Sequence, residues 1–242
     1  MKLGLIGKKL AHSASQAYFE KKFLNLGLRQ ASYTNYEVAR KEDLPEFLAR
    51  HADCDGLNVT LPYKEAIIPY LSKMSNAAAQ IGAVNVLKKI EQGWEGFNTD
   101  WFAFQKCIEP LLETHQQRAL ILGTGGAAKA VAYALEQMGM PYLLVSRQVG
   151  RDLVPYERAS ELLEDHFVLI NATPVGMHPQ EEEMPPLDLA QVGSGHLVYD
   201  LIYNPGETTL MRTAREQGAK TANGQQMLEL QAEEAWQIWN RL

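Results

Sequence analysis

At 242 residues the chain has room for one or two domains. Its composition, 46% hydrophobic and 21% charged, is that of a globular protein able to bury a core, and excludes a disordered or low-complexity chain. A net charge of −6 excludes broad electrostatic affinity for nucleic acid or an anionic membrane, so an anionic ligand needs a local site.

In chain order, Lys2–Ile6 reads as a short apolar strand. The apolar run at Met1–Gly7 is far too short for a signal peptide or a membrane span, so a soluble cytoplasmic protein is expected. After a loop carrying His12-Ser13-Ala14-Ser15, a helix is predicted to about Leu26, with Gly27 as its stop. Ser32–Val38 has strand character, Leu44–His51 is helical in pattern, and Gly56–Thr60 is another strand. Pro62 marks a turn before a helix at Lys64–Leu71. Val84–Ile90 is a strand, and residues 91–93 turn out of it. Strands separated by helices imply βαβ units and a mostly parallel sheet.

A second unit begins near Asp100. A helix is predicted over Trp101–Leu112, then an apolar strand at Arg118–Leu122 that runs into Gly123-Thr124-Gly125-Gly126-Ala127-Ala128. A helix at Ala127–Met138 and a strand at Tyr142–Ser146 follow. Strand, glycine turn, helix and strand within about thirty residues is the order a dinucleotide-binding half requires. Two more strands are expected at Phe167–Asn171 and His196–Leu201, and a final helix at Gln225–Leu242. The two cysteines, Cys54 and Cys107, show no metal-ligand spacing and read as buried free thiols of a reducing compartment, with no metal expected.

The glycine turn carries the first chemical reading. Gly123 and Gly125 permit a tight turn and close approach of backbone amides to a pyrophosphate. Thr124 sits between them, and Gly126 and Ala127 keep the first helical turn small. At the end of the next strand, where Asp or Glu would bond a ribose 2′-hydroxyl, the chain has Ser146-Arg147 and no carboxylate until Asp152. A guanidinium grips a 2′-phosphate that a carboxylate would repel, and Arg151 offers a second cation, so NADP(H) is the expected cofactor.

The first half places polar side chains at strand ends, where open α/β proteins hold ligands. These are Ser13 and Ser15; Asn58, Thr60 and Lys64; Asn85; and Asn98-Thr99-Asp100. Singly, the serines, Thr99 and Asp100 read as helix caps. As a set they suit a small polyhydroxylated acid: hydroxyls for a carboxylate, amides for ring hydroxyls, and an ammonium beside a carboxylate for proton transfer. On the final helix, Gln231 interrupts an apolar face of Met227, Leu228, Ala235, Ile238, Trp239 and Leu242. Its amide needs a partner, either nearby backbone or a ligand hydroxyl.

These strings together resemble the shikimate dehydrogenase (shikimate/quinate dehydrogenase) family. His12–Ser15, Asn58–Lys64, Gly82–Asn85 and Gly96–Asp100 look like its amino-terminal motifs in the same order, and Gly123–Ala128 like its cofactor turn. Asn171–Met177, Tyr199–Pro205 and Asn223–Ala232 are similar to its later motifs, so the likeness covers nearly the whole chain. The resemblance implies an NADPH-dependent, reversible reduction of 3-dehydroshikimate to shikimate, in aromatic amino-acid biosynthesis. It implies an α/β protein of two domains: a mostly parallel substrate domain at 1–99 plus 223–242, and a Rossmann-like NADP domain at 100–222, with the last helix returning to the first domain.

Residue by residue, the resemblance assigns Ser13 and Ser15 to the substrate carboxylate. Asn58, Thr60, Asn85 and Gln231 go to ring hydroxyls, Lys64 and Asp100 to the catalytic pair, and Tyr203 to the neighbourhood of substrate and nicotinamide. Asn171, Thr173, Met177, Gly224 and Met227 would border the cofactor. The chain departs from the family pattern at Gln16, Trp101, Thr124, Ser146 and Gln226, where Pro, Gly, Ala, Asn and Gly are usual, and it is short for the family. A quinate-accepting sibling, a folate-linked dehydrogenase and a non-catalytic NADP-binding regulator are the rival readings. Monomer and homodimer are both compatible with the sequence.

Overall fold

The computed structural model describes residues 1–242 apart from His12, Val149, Arg151 and Leu242. The chain divides into two compact units, 1–99 with 231–242, and 100–230.

In the first unit, β1 (Lys2–Gly7), α1 (Ser15–Asn25), β2 (Ser32–Glu37), α2 (Leu44–Arg50) and β3 (Gly56–Val59) alternate. Then come α3 (Tyr63–Ala66), β4 (Lys73–Met74), α4 (Asn76–Ile81), β5 (Val86–Ile90) and β6 (Gly93–Phe97). The sheet runs β2-β1-β3-β5-β6-β4. β1 pairs in parallel with β2 and β3, and β4 with β6, whereas β5 is antiparallel to both β3 and β6. The turn at 91–93 therefore closes a hairpin that the sequence pattern does not show. The single helix expected at Lys64–Leu71 is broken: α3 ends at Ala66 and a 3₁₀ turn spans Ile68–Tyr70, where Pro69 can donate no amide.

β1 and β3 are buried almost end to end because both faces of the sheet are covered. One face packs Leu3, Leu5, Phe19, Phe23 and Tyr33 against Ala235, Ile238 and Trp239. The other packs Ile6, Leu44, Leu57, Val59, Tyr63 and Ile67. Alternation of Leu3 and Leu5 against Ile6 follows from the two-residue period of a strand. The carboxyl-terminal half of the last helix thus belongs to this unit, and the Trp239 indole donates to the Leu87 carbonyl at 2.9 Å.

The second unit contains α5 (Asp100–Ile108), β7 (Ala119–Leu122), α6 (Gly126–Gln137), β8 (Tyr142–Val145), β9 (Leu153–Val154) and α7 (Tyr156–Leu162). β10 (Val168–Asn171), β11 (Leu197–Asp200), α8 (Thr209–Glu216) and β12 (Lys220–Ala222) follow, and α9 (Gln225–Asn240) begins here. α5 stops before the helix end expected at Leu112, because Pro110 forces a 3₁₀ turn at Glu109–Leu111. The sheet order is β12-β11-β10-β7-β8-β9, and every pairing is parallel. Its central strands are wholly buried. The boundary lies at Gln231 rather than at 223, because Met227 and Leu230, in the first turns of α9, pack with the core of this unit.

Candidate active site

In the second sheet the chain winds outward from β7 through β8 to β9, then returns beside β7 with β10 and winds the other way. The adjacent carboxyl ends of β7 and β10 form the switch point at which doubly wound sheets bind ligands. Gly123, Thr124 and Gly125 follow β7, and Asn171, Ala172 and Thr173 lie at the end of β10.

Gly123 has φ +107, which other residues rarely adopt, and a Cβ on it would meet the Thr173 methyl at 3.1 Å. Gly125 is the N-cap of α6, with no side-chain hydrogen bond closing that end, and a Cβ on it would meet nothing within 4 Å. Open space in front of uncapped first-turn amides, with Gly126 buried and Ala127 half-buried behind, is a cradle that fits a pyrophosphate. Thr124 is half-buried beside it. At the end of β8, Ser146 is buried and its Oγ accepts from the Gln148 amide at 3.0 Å, while Arg147 is exposed. Arg151 lies outside the described residues.

The residues expected to border a cofactor divide in two. Met177 is 42% exposed in the turn after β10, and Tyr203 is half-buried after β11. By contrast, Asn171 is fully buried and engaged within the fold. Its Nδ2 donates to both carboxylate oxygens of Asp200 at 3.1 Å, and its Oδ1 accepts from the amide and hydroxyl of Thr173 at 3.0 and 2.6 Å. Gly224 is buried, and a Cβ there would overlap the Leu201 carbonyl oxygen, so packing alone explains glycine at that position. Met227 is buried in the core.

Asp200 is the residue that sequence reasoning passed over. It is fully buried at the end of β11 and also accepts from the Ile202 amide at 3.0 Å and the Thr208 hydroxyl at 2.7 Å. Burial pushes its carboxyl up to about 6, against the opposing pull of the Ile202, Thr208 and Asn171 donors. The folded state therefore holds this proton more tightly than the unfolded chain, whose carboxyl titrates near 3.8. This contribution to stability is fully present below pH 3.8, is lost as pH rises to about 6, and is constant above, a span of about 3 kcal/mol. Thermal melts of wild type and Asp200→Asn should thus differ by an amount that changes between pH 4 and about 6.5 and is flat above 7; a difference independent of pH would contradict the assignment.

In the first unit the structure gathers several of the predicted residues into one buried network. Tyr33 donates its hydroxyl to Asn58 Oδ1 at 2.7 Å. Asn58 Nδ2 donates to the Asn85 carbonyl at 3.3 Å, and Asn85 Nδ2 donates to Thr99 Oγ1 at 3.0 Å. Asn85 Oδ1 accepts from the Thr99 amide at 2.8 Å, and the Thr99 hydroxyl donates to the backbone carbonyl of Gln231 at 3.0 Å. Thr99 is therefore tied to the last helix. Ser13 accepts from the Ser15 amide at 3.3 Å, and the two serines are half-buried at the head of α1.

Thr60 and Lys64 are also half-buried. The backbone of Lys64 is fixed, since its carbonyl accepts from the Val84 amide at 2.8 Å. Gln231 is half-buried on α9, short of the full burial that its apolar neighbours suggest, and Asp100 is buried as the first residue of α5. Of the departures, Trp101 packs edge-on against Tyr133 at 5.2 Å, and Gln226 is exposed, so its side chain is directed clear of the core. Outside these clusters, His51, Asp53 and Cys54 bring donor atoms within 4.8 Å of one another. Asp53 there already holds the Lys2 ammonium at 2.6 Å, so a cation would meet a like charge. No helix among the described residues is long and apolar enough to cross a membrane.

Strand order and glycine turn place residues 100–230 among the doubly wound nucleotide-binding folds. Comparison with known proteins narrows this. The family described as shikimate dehydrogenase substrate binding domain matches residues 5–87. The shikimate dehydrogenase (NADP(+)) of Caldicellulosiruptor saccharolyticus is 37% identical over 98% of this chain and 91% of its own. The crystal structure of shikimate dehydrogenase from Aquifex aeolicus superposes with a TM-score of 0.90 at 33% identity, over 99% of this chain and 92% of that one. That of the Thermus thermophilus enzyme, in complex with NADP(H) and shikimate, gives 0.88 at 32% identity, over 100% and 94%. The chain belongs to the shikimate dehydrogenase family.

Proposed function

We propose that the protein catalyses the reversible, NADP(H)-dependent interconversion of shikimate and 3-dehydroshikimate, and that it works in the cytoplasm, in keeping with its two buried free thiols. The observation that carries the reading is the uncapped, unobstructed amino terminus of α6 at the switch point of a parallel sheet, in a chain that matches NADP-dependent shikimate dehydrogenases over nearly its whole length.

The bound cofactor would supply a hydride acceptor or donor; the chain's own residues do the rest. Backbone amides of Gly125, Gly126 and Ala127 meet the pyrophosphate, and Arg147 with Ser146 meets the ribose 2′-phosphate. Thr124, Thr173 and Met177 line the approach, with Arg151 as a second cation. Asn171 acts through Thr173, Gly224 lets the backbone fold close to Leu201, and Met227 backs the site from the core. Ser13 and Ser15 donate to the substrate carboxylate, while Asn58, Thr60, Asn85 and Gln231 hold ring hydroxyls and Tyr203 flanks the ring. As the alcohol is oxidised its hydroxyl proton must leave, and as the ketone is reduced a proton must arrive. Lys64 Nζ accepts that proton in one direction and returns it in the other, and Asp100 orients the reacting hydroxyl. Residues 1–99 with the end of α9 thus form the substrate domain, and 100–230 the NADP domain.

The test is NADP reduction followed at saturating cofactor with shikimate, quinate and methylenetetrahydrofolate in parallel. Turnover on shikimate is expected. Turnover confined to the folate substrate, or none on any, would reject the proposal. The cofactor assignment makes its own prediction: Arg147→Ala should lower kcat/KM for NADP by about 10- to 100-fold and leave that for NAD within a fewfold. Equal losses with both cofactors would show that Arg147 does not read the 2′-phosphate.

A further inference from the structure

We propose that Asp200 is a positioning residue for the cofactor: its buried carboxylate fixes the loop that backs the glycine turn, and thereby sets affinity for the dinucleotide. The proposal rests on the reading of Gly123–Ala127 as the dinucleotide site and adds a residue to it. Three donors make four hydrogen bonds to Asp200: Asn171 is the last residue of β10, and Ile202 and Thr208 lie on the connection after β11. Asn171 Nδ2 bridges both carboxylate oxygens at 3.1 Å, the Ile202 amide reaches Oδ1 at 3.0 Å, and the Thr208 hydroxyl reaches Oδ2 at 2.7 Å. Asn171 passes the constraint on through its own Oδ1, which accepts from the Thr173 amide at 3.0 Å and hydroxyl at 2.6 Å. The Thr173 hydroxyl oxygen in turn accepts from the Val175 amide at 3.2 Å. The methyl of the same Thr173 is what a Cβ on Gly123 would strike first, at 3.1 Å. Two hydrogen-bonded steps therefore run from a carboxylate at the end of β11 to Thr173, whose methyl leaves no room for a side chain on the turn at the end of β7.

The other face of Asp200 steadies the opposite connection. Thr208, while donating to Asp200, also caps α8 by accepting from the Met211 amide at 3.3 Å. The Ile202 amide bond orients Leu201, whose carbonyl presses on Gly224. If packing were the requirement, an apolar side chain of similar size would serve without the cost of burying an ionisable group. A carboxylate is needed because it is the one side chain of this size that can accept from all these donors at once.

Asp200→Asn puts a donor among donors and should loosen Asn171 and Thr173. In steady state we expect KM for NADP to rise about tenfold or more, with KM for shikimate and kcat at saturation within about twofold, because a shift of an ångström behind a binding turn is enough to cost that much. Leu163→Ala, a cavity variant in the core of the same unit, supplies the comparison: it should lower Tm and leave KM for NADP unchanged. Should Asp200→Asn fail to fold, Thr208→Val removes only the 2.7 Å bond, and KM for NADP should rise severalfold. An unchanged KM for NADP in the folded variant, or an equal rise in Leu163→Ala, overturns the proposal. Wild type is measured first: absence of NADP binding there would refute the dinucleotide site itself, a result distinct from failure of Asp200.

Discussion

Lys64→Ala is expected to lower kcat by about 10²–10⁴-fold while KM for shikimate stays within a fewfold. The split follows from where the residue sits. Its backbone is anchored independently of its side chain, by the bonds from the Tyr63 amide to the Thr60 carbonyl and from the Val84 amide to the Lys64 carbonyl. Both of these backbone bonds survive truncation at Cβ. On the proposed mechanism, what is lost is the group that takes or returns the hydroxyl proton, and without it the alkoxide or its equivalent must form unaided. Lys64→Arg separates proton transfer from simple electrostatics, because a guanidinium keeps the charge but does not release its proton. It should be nearly as impaired as the alanine variant. Turnover of Lys64→Ala at the wild-type rate would remove Lys64 from the mechanism.

The second large effect is expected at Gly125. Gly125→Asp should leave Tm unchanged or slightly raised and yet weaken NADP binding by about 10²-fold or more, measured by titration calorimetry beside thermal melts. The position has φ −77 and ψ −177, ordinary extended backbone, and a Cβ meets nothing within 4 Å, so the substitution costs no strain. Aspartate is moreover a favoured N-cap and would satisfy first-turn amides of α6 that have no side-chain cap. Those are the amides proposed to hold the pyrophosphate, and the new carboxylate would both occupy them and repel the ligand. Stability and affinity should move in opposite directions. If binding persists, the cofactor does not sit on this helix end.

Much of the fold was legible wherever one signal dominated. The apolar run before Gly123, the small residues after it and the strand at 142–145 point to β7, the turn, α6 and β8 because a buried parallel strand and a glycine turn have few other uses. The hairpin of β5 and β6 was hidden because Gly93 and Gly96 depress strand propensity in a five-residue segment whose alternation rests on Trp94. α8 was missed because, although Leu210, Met211 and Ala214 share one buried face, an eight-residue segment is shorter than the window over which helical periodicity stands out.

At the site, residue types at strand ends were readable, but their partners were not. Asn58 and Asn85 look like ligand amides in a string of letters, and only the three-dimensional pairing shows how much of their hydrogen bonding is spent on Tyr33 and Thr99. Asp200 in the string Tyr199-Asp200-Leu201 is indistinguishable from a surface cap; its role comes from burial beneath two connections more than 25 residues apart in sequence, an arrangement no local pattern encodes.

The central claim is that one catalytic pair, Lys64 as proton carrier and Asp100 as its orienting partner, serves a hydride transfer on the shikimate ring. A crystal structure of the enzyme with shikimate and NADP bound tests it most directly. The account predicts both Lys64 Nζ and a carboxylate oxygen of Asp100 within about 2.6–3.2 Å of the same ring hydroxyl, on the carbon that faces the nicotinamide. A shikimate hydroxyl contacted by neither side chain, or a nicotinamide facing a different carbon, would contradict it.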